Sequence, residues 1–165
     1  MRRSPKRSSV RRAFTLVELI VVIVILAIAA AMVIPYVSTT ESQAVSAARM
    51  VAADLQYAQS LSVTTQVNTT VSFDTVNKRY TLSNQSGTLN SPITGKQYVV
   101  SFPQTRGFER VLLLSPTFGS GATVTFDSTG APDNAGSVTV QAGGNTYRLD
   151  VAAATGNVTV SRAGG

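Results

Sequence analysis

The hydrophobic pattern changes character three times along the chain. From Leu19 to Ile34 every residue is apolar. From Phe14 to Val37 the stretch is 24 residues, roughly 36 Å as a helix at about 1.5 Å per residue, against a bilayer core of about 30 Å. Ile20–Ile25 is rich in β-branched residues, which alone would suit a buried strand. The length of the stretch and its basic flank predict a membrane helix instead. Pro35 ends or bends it. Ser38-Thr39-Thr40-Glu41 then fits a capping box and predicts a restart near Ser38. Ala44, Ala48, Val51, Leu55 and Ala58 recur at spacings of three and four, one narrow stripe of mostly small residues, with Asp54 and Gln59 off it. This predicts a helix that packs closely on a sheet or on another helix.

Beyond residue 66 the period shortens to two. Strands are predicted at Val67–Phe73, Lys78–Ser83, Gln97–Phe102, Val111–Leu114, Thr123–Phe126, Ser137–Gln141, Thr146–Val151 and Asn157–Ser161. Gly143-Gly144 predicts a tight hairpin and "ATGN", residues 154–157, a second turn. Ser83 to Lys96 is the longest irregular segment, a predicted surface loop. All 12 glycines follow Ser86. The order predicts an α+β fold: a long N-terminal helix, membrane-spanning in its first half and kinked near Pro35, packed on a mainly antiparallel, sandwich-like β domain. The expected division is 1–13 basic leader, 14–37 membrane helix, 38–66 amphipathic helix and 67–165 β domain.

Charge sharpens the first of these zones. The net charge of +6 would suggest nucleic acid, but Arg2, Arg3, Lys6, Arg7, Arg11 and Arg12 all precede Phe14. From Phe14 onward eight basic and eight acidic residues cancel. The basicity is that of a cytoplasmic anchor before a span. It argues against a nucleic-acid surface, with Arg106 and Arg110, or Arg148 and Arg162, left as candidate small patches.

The 165-residue chain has neither Cys nor His. That excludes disulfides, thiolate metal sites and imidazole acid–base chemistry. No metal triad, nucleophile elbow or phosphate loop is present, so the chain is not read as an enzyme and no cofactor is expected. The loop "DSTGAPDN" holds Asp127, Asp133 and Asn134 but lacks the ordered acidic spacing of a calcium loop, and reads as paired β-turns. Three Asn-x-Ser/Thr sequons, at Asn68, Asn84 and Asn157, are chance matches in a Thr-rich chain.

Glu18 is the residue a plain anchor does not explain, because a carboxylate in a span costs a few kcal/mol unless paired. A secretory signal with A-x-A cleavage patterns at Ala27/Ala29 or Ala29/Ala31 leaves it unexplained as well. "RRAFTLVELIVV" resembles the class III signal of type IV prepilins and type II secretion pseudopilins. The resemblance implies cleavage by a prepilin peptidase between Ala13 and Phe14 and N-methylation of Phe14. Ala13 stands where the family usually has Gly. It further implies that Glu18 sets assembly register by pairing with the Phe14 amine of a neighbouring subunit, and that Pro35 is the family's helix-bending proline. "ARMVAADLQYAQSLSVTTQ" and the strands after it resemble the GspH/FimT family of minor pseudopilins and minor pilins. Implied partners are the peptidase, other minor and major pseudopilins or pilins, an inner-membrane assembly platform, and lipid before assembly. The implied location is the bacterial inner membrane, N-terminus cytoplasmic and β domain periplasmic, then a filament serving protein secretion. The rival readings are a minor pilin in DNA uptake and a membrane-anchored or secretory-processed β domain that binds a ligand.

Overall fold

A computed structural model describes residues 15–33 and 39–164, with side chains described for 15–30 and 41–164. Ala13, Phe14, Pro35 and Ser38 lie outside these ranges, and with them the cleavage site, the predicted kink and the first residue of the capping box. The chain divides into two compact units, residues 1–37 and 38–165.

The first unit contains α1, Leu16–Val33. Its 18 residues rise about 27 Å. Among the described residues, no helix is long and apolar enough to cross a membrane. The predicted 24-residue stretch extends beyond α1 at both ends.

Among its described residues, the second unit is built on α2, Thr39–Thr65, and nine strands. β1 (Thr69–Asp74), β2 (Arg79–Asn84), β3 (Gly87–Thr88), β4 (Val99–Ser101) and β6 (Thr123–Phe126) form one antiparallel sheet. Its order is β3-β2-β1-β6, with β4 also on β2. β5 (Val111–Phe118), β7 (Gly136–Ala142), β8 (Asn145–Val151) and β9 (Val158–Arg162) form the second, in the order β5-β7-β8-β9. α2 contacts strands of both sheets, and the sheets touch through β1 and β5, where the rings of Phe73 and Phe118 stack with centroids 5.7 Å apart. The fold is α+β, a helix on antiparallel sheets.

The stripe on α2 forms because small apolar residues let the helix backbone approach the strands closely. Ala44, Ala48, Val51, Leu55 and Ala58 are all buried, joined by Ala47 and Ala52. Opposite them lie Val71, Leu82, Leu113, Val124, Val138 and Leu149, the inward residues of alternating strands. The hairpin at Gly143-Gly144 is a two-residue turn closed by the Ala142–Asn145 pair, with Gly143 at φ 61°. The turn at 154–157 is closed by Ala152 accepting from the Gly156 N–H and donating to Asn157.

Several expectations are corrected. The strand predicted over Gln97–Phe102 keeps only Val99–Ser101, because Phe102-Pro103-Gln104 winds into a 3₁₀ turn where Pro103 lacks a ladder donor. The strand predicted to stop at Leu114 runs to Phe118, through a register shift between Leu114 and Thr117 that places Ser115 at φ 46°. Ser83–Lys96 is not wholly a loop. β2 extends to Asn84, Gly87 and Thr88 pair back on it, Leu89 packs against the core, and Asn90 bridges Gln97.

Candidate functional site

Of the four residues singled out in the N-terminal segment, the described structure contains Glu18. It lies in the first turn of α1. Its backbone N–H donates to Thr15 Oγ1 at 3.3 Å. Thr15 thus caps the helix, and Thr15-Leu16-Val17-Glu18 has the spacing of a capping box. A carboxylate there also faces the positive end of the helix dipole. The Thr-x-x-Glu spacing that marks this helix start is legible in the sequence itself.

Every described side chain from Thr15 to Ala30 is exposed, the large apolar ones ranging from Val22 at 48% to Leu16 at 73%. The exposed apolar residues surround the helix rather than forming one stripe.

On the β domain, polar side chains of α2 fix the helix to the sheets. The Asp54 carboxylate accepts hydrogen bonds from the hydroxyls of Tyr80 on β2 and Tyr98 just before β4, the latter at 2.9 Å. Burial pushes the Asp54 carboxyl above its ordinary value, opposed by the two hydroxyl donors. Tyr80 and Tyr98 are raised in turn, first by burial and then by the neighbouring carboxylate. Both remain neutral donors. Gln59 donates through one amide nitrogen to the carbonyls of Gly130, at 2.8 Å, and Thr155, at 2.7 Å. The two glycines beside it are needed for space. A Cβ on Gly130 would meet Val63 at 2.9 Å, and one on Gly156 would meet Gln59 Nε2 at 2.4 Å. Helical spacing marks Asp54 and Gln59 as off the buried stripe, which they are. It does not reveal that each reaches around the helix to the sheets.

The candidate small sites take other forms. Arg148 and Arg162 do not make one patch. Arg162 is paired across the ladder with Tyr147, so it shares that residue's face, and the adjacent Arg148 points to the other. Arg148 pairs with Asp150 at 2.8 Å and Arg162 with Glu41 at 3.8 Å. Arg106 and Arg110 flank Glu109, whose carboxyl is held below its ordinary value chiefly by the Gly107 N–H. In "DSTGAPDN" the carboxylates serve the turn. Asp127 Oδ1 accepts from the Thr129 N–H and hydroxyl and from the Ala131 N–H, and Asp133 Oδ1 accepts from Thr125 and Asn134. Among the described residues no group of three or more acidic side chains is placed to hold a metal ion.

Comparison with known proteins bears on both units. Residues 8–34 match the prokaryotic N-terminal methylation motif. No curated protein gave a significant match. Among solved structures, the chain is similar to the minor pseudopilin EpsH from the type 2 secretion system of Vibrio cholerae, at 12% identity and a TM-score of 0.53. The alignment covers 73% of this chain and 96% of that one, a likeness of fold. Residues 47–164, most of α2 and nearly the whole β domain, match the type II transport protein GspH family, and the chain belongs to that family.

Proposed function

We propose that the chain is a minor pseudopilin of a type II secretion system. In this reading residues 14–37 hold it in the bacterial inner membrane, with residues 1–13 cytoplasmic and the β domain periplasmic. A prepilin peptidase cuts between Ala13 and Phe14, and Phe14 is N-methylated. α1 then leaves lipid for the core of a short filament, where other pseudopilins cover its apolar surface. The role is mechanical and needs no cofactor.

One observation carries the reading: a single chain joins the methylation motif at 8–34 to a GspH-family domain at 47–164. The all-round exposure of α1 agrees with it, since such a helix is satisfied first by acyl chains and then by similar helices. Within the filament, Glu18 would pair with the Phe14 amine of a neighbour. In a low-dielectric core an unpaired charge is costly, so subunits in the wrong vertical register are disfavoured.

Mass spectrometry of the N-terminus, from cells that contain the secretion machinery, tests this. A methylated Phe14 is expected, together with co-purification of other pseudopilins. A mature start near Ala30 or Met32 would refute it in favour of a secretory signal, and an intact Met1 would favour a plain anchor.

A further inference from the structure

The two sheets of the β domain end in edges, and most of these are closed. β5 is interrupted by its register shift and by Pro116. β6 is covered by the loop after it, where Phe126 bridges Pro132 and the Asp133 N–H donates to Thr125. β3 and β4 are two and three residues long. Short strands, prolines and covering loops are the usual protections of a sheet edge. Among the described residues β9 has none of them: it is five residues long, Val158-Thr159-Val160-Ser161-Arg162, without Pro or Gly.

The hydrogen-bonding phase of β9 follows from its ladder. Ala163 donates to Thr146, and Ala152 donates to Asn157. In the antiparallel register that joins Leu149 to Val160, these bonds place residues 157, 159, 161 and 163 with their N–H and C=O toward β8. Val158, Val160 and Arg162 therefore aim their backbone groups outward. The same three side chains lie on the α2 face of the sheet, opposite Val151, Leu149 and Tyr147.

α2 keeps step with this edge. Glu41 pairs with Arg162 at 3.8 Å, which sets the start of the helix beside the end of β9. Four residues of helix rise about 6 Å, and two residues of strand rise about 6.6 Å. Thus Glu41, Val45 and Arg49 advance along α2 as Arg162, Val160 and Val158 recede along β9. Val45, Arg49, Tyr147 and Val160 line a groove of about 260 Å³ between them. The ion pairs of the described residues join Arg79 to Asp74, Arg148 to Asp150 and Arg162 to Glu41. Arg49 is exposed and has no ion-pair or hydrogen-bond partner among the described residues.

We propose that the free edge of β9, with the groove beside α2, binds an extended segment of another protein as a fifth strand, selecting an apolar side chain at Val45 and Val160 and a carboxylate two residues away at Arg49. Backbone bonds to Val158, Val160 and Arg162 would supply the sequence-independent part of the recognition. The alternating side chains would supply selectivity, as in other cases of strand addition. Strand addition at β9 depends neither on the membrane helix nor on a role in secretion.

The full-length chain in mild detergent can be titrated into a fluorescein-labelled, Thr-rich peptide with a central Val and an Asp two residues to each side. Saturable binding by anisotropy is expected. Replacing both Asp by Lys should weaken it at least about tenfold, and Arg49→Glu should reverse that preference. Val160→Pro should abolish binding while keeping β8–β9 pairing, because the lost N–H points outward. Should that variant not fold, N-methylation of the peptide's edge-facing amides removes the same bonds from the ligand side, and loss of binding is again expected. Equal affinity for the Asp and Lys peptides, or binding that survives backbone methylation, would overturn the proposal. So would a dimer of the chain itself, seen by sedimentation and dissolved by Val160→Pro, since the edge would then serve a second copy.

Discussion

Asp54 on α2 accepts the hydroxyl hydrogen of Tyr80, a β2 residue with no exposed surface. The bond joins a partly buried carboxylate to the centre of the aromatic core, where the Tyr80 ring lies 5.9 Å from that of Phe73 and 6.0 Å from that of Phe102. Tyr98 shares the same carboxylate and stacks on Tyr57 of α2 at 5.8 Å. Each hydroxyl would be costly to leave without an acceptor in that setting.

Asp54→Ala strands the Tyr80 hydroxyl and should destabilise the domain by about 2–3 kcal/mol. Tyr80→Phe should cost about 1–3 kcal/mol, and Tyr98→Phe less, because Tyr98 is only half-buried. The Asp54→Ala/Tyr80→Phe double variant should lose clearly less than the sum. Urea unfolding of all four proteins closes the cycle, and strict additivity would show that the bond contributes nothing.

The response to pH follows from opposite shifts. Burial raises the Asp54 carboxyl above 3.8, so its proton-linked stability is fully present below 3.8 and is lost as pH rises through the folded-state value. Asp74 and Asp127 are lowered from 3.8, chiefly by the side chains of Asn77 and Thr129. Their contribution is present above 3.8 and is lost as pH falls through their folded values. Asp54→Asn should flatten the stability profile on the side above about 4, and Asp127→Asn on the side below it. Urea midpoints taken across the acidic range distinguish the two.

Gly156 adopts φ 63° and faces Gln59 Nε2 and the Gly130 carbonyl, with 2.4 and 2.8 Å left for a Cβ. Gly156→Ala should therefore cost about 2 kcal/mol or more, beyond the roughly 1 kcal/mol of a left-handed Ala. Gly107→Ala serves as a control, since Gly107 has φ 89° and nothing within 4 Å of a Cβ. Its thermal shift should reflect the backbone cost alone. Adding Gln59→Ala to Gly156→Ala should cost less than Gln59→Ala does by itself in the parent.

Glu18 admits a test that separates its two roles. If the proposed charge pairing governs assembly, both Glu18→Ala and Glu18→Gln should leave membrane insertion intact and sharply reduce incorporation into filaments. Gln supports a capping box almost as Glu does. Normal incorporation of Glu18→Gln beside failure of Glu18→Ala would leave Glu18 as a helix-starting residue only. Quantitative cross-linking of purified filaments reads the difference.

The period of the apolar residues was sufficient to locate α2 and most of the strands. Thr123–Phe126 is the plainest case, with Val124 and Phe126 buried and Thr123 exposed. Periodicity failed where the determinant was not periodic. Gly87-Thr88 is too short to carry a pattern, and Pro103 gives Phe102 to a 3₁₀ turn although its ring stays in the core. Ser115-Pro116 reads as a stop because a bulge cannot be told from an end without the partner strand. For the N-terminal segment, a contiguous string of residues carried the prepilin-like resemblance that the methylation motif match over residues 8–34 supports. The roles of Asp54, Gln59 and Gly156 depend on residues 26 to 97 positions away in the chain, a separation that no local pattern records.

The attachment of α2 has a mechanical consequence. Asp54 ties the helix to the five-stranded sheet, and Gln59 ties it to the turn after β6 and to the turn before β9, which belong to different sheets. Tension applied along α2 is thus divided between two sheets that must yield together. Peeling the helix from one sheet at a time, the low-force route, is closed, and the domain should rupture in a single step under a pull at its N-terminal end.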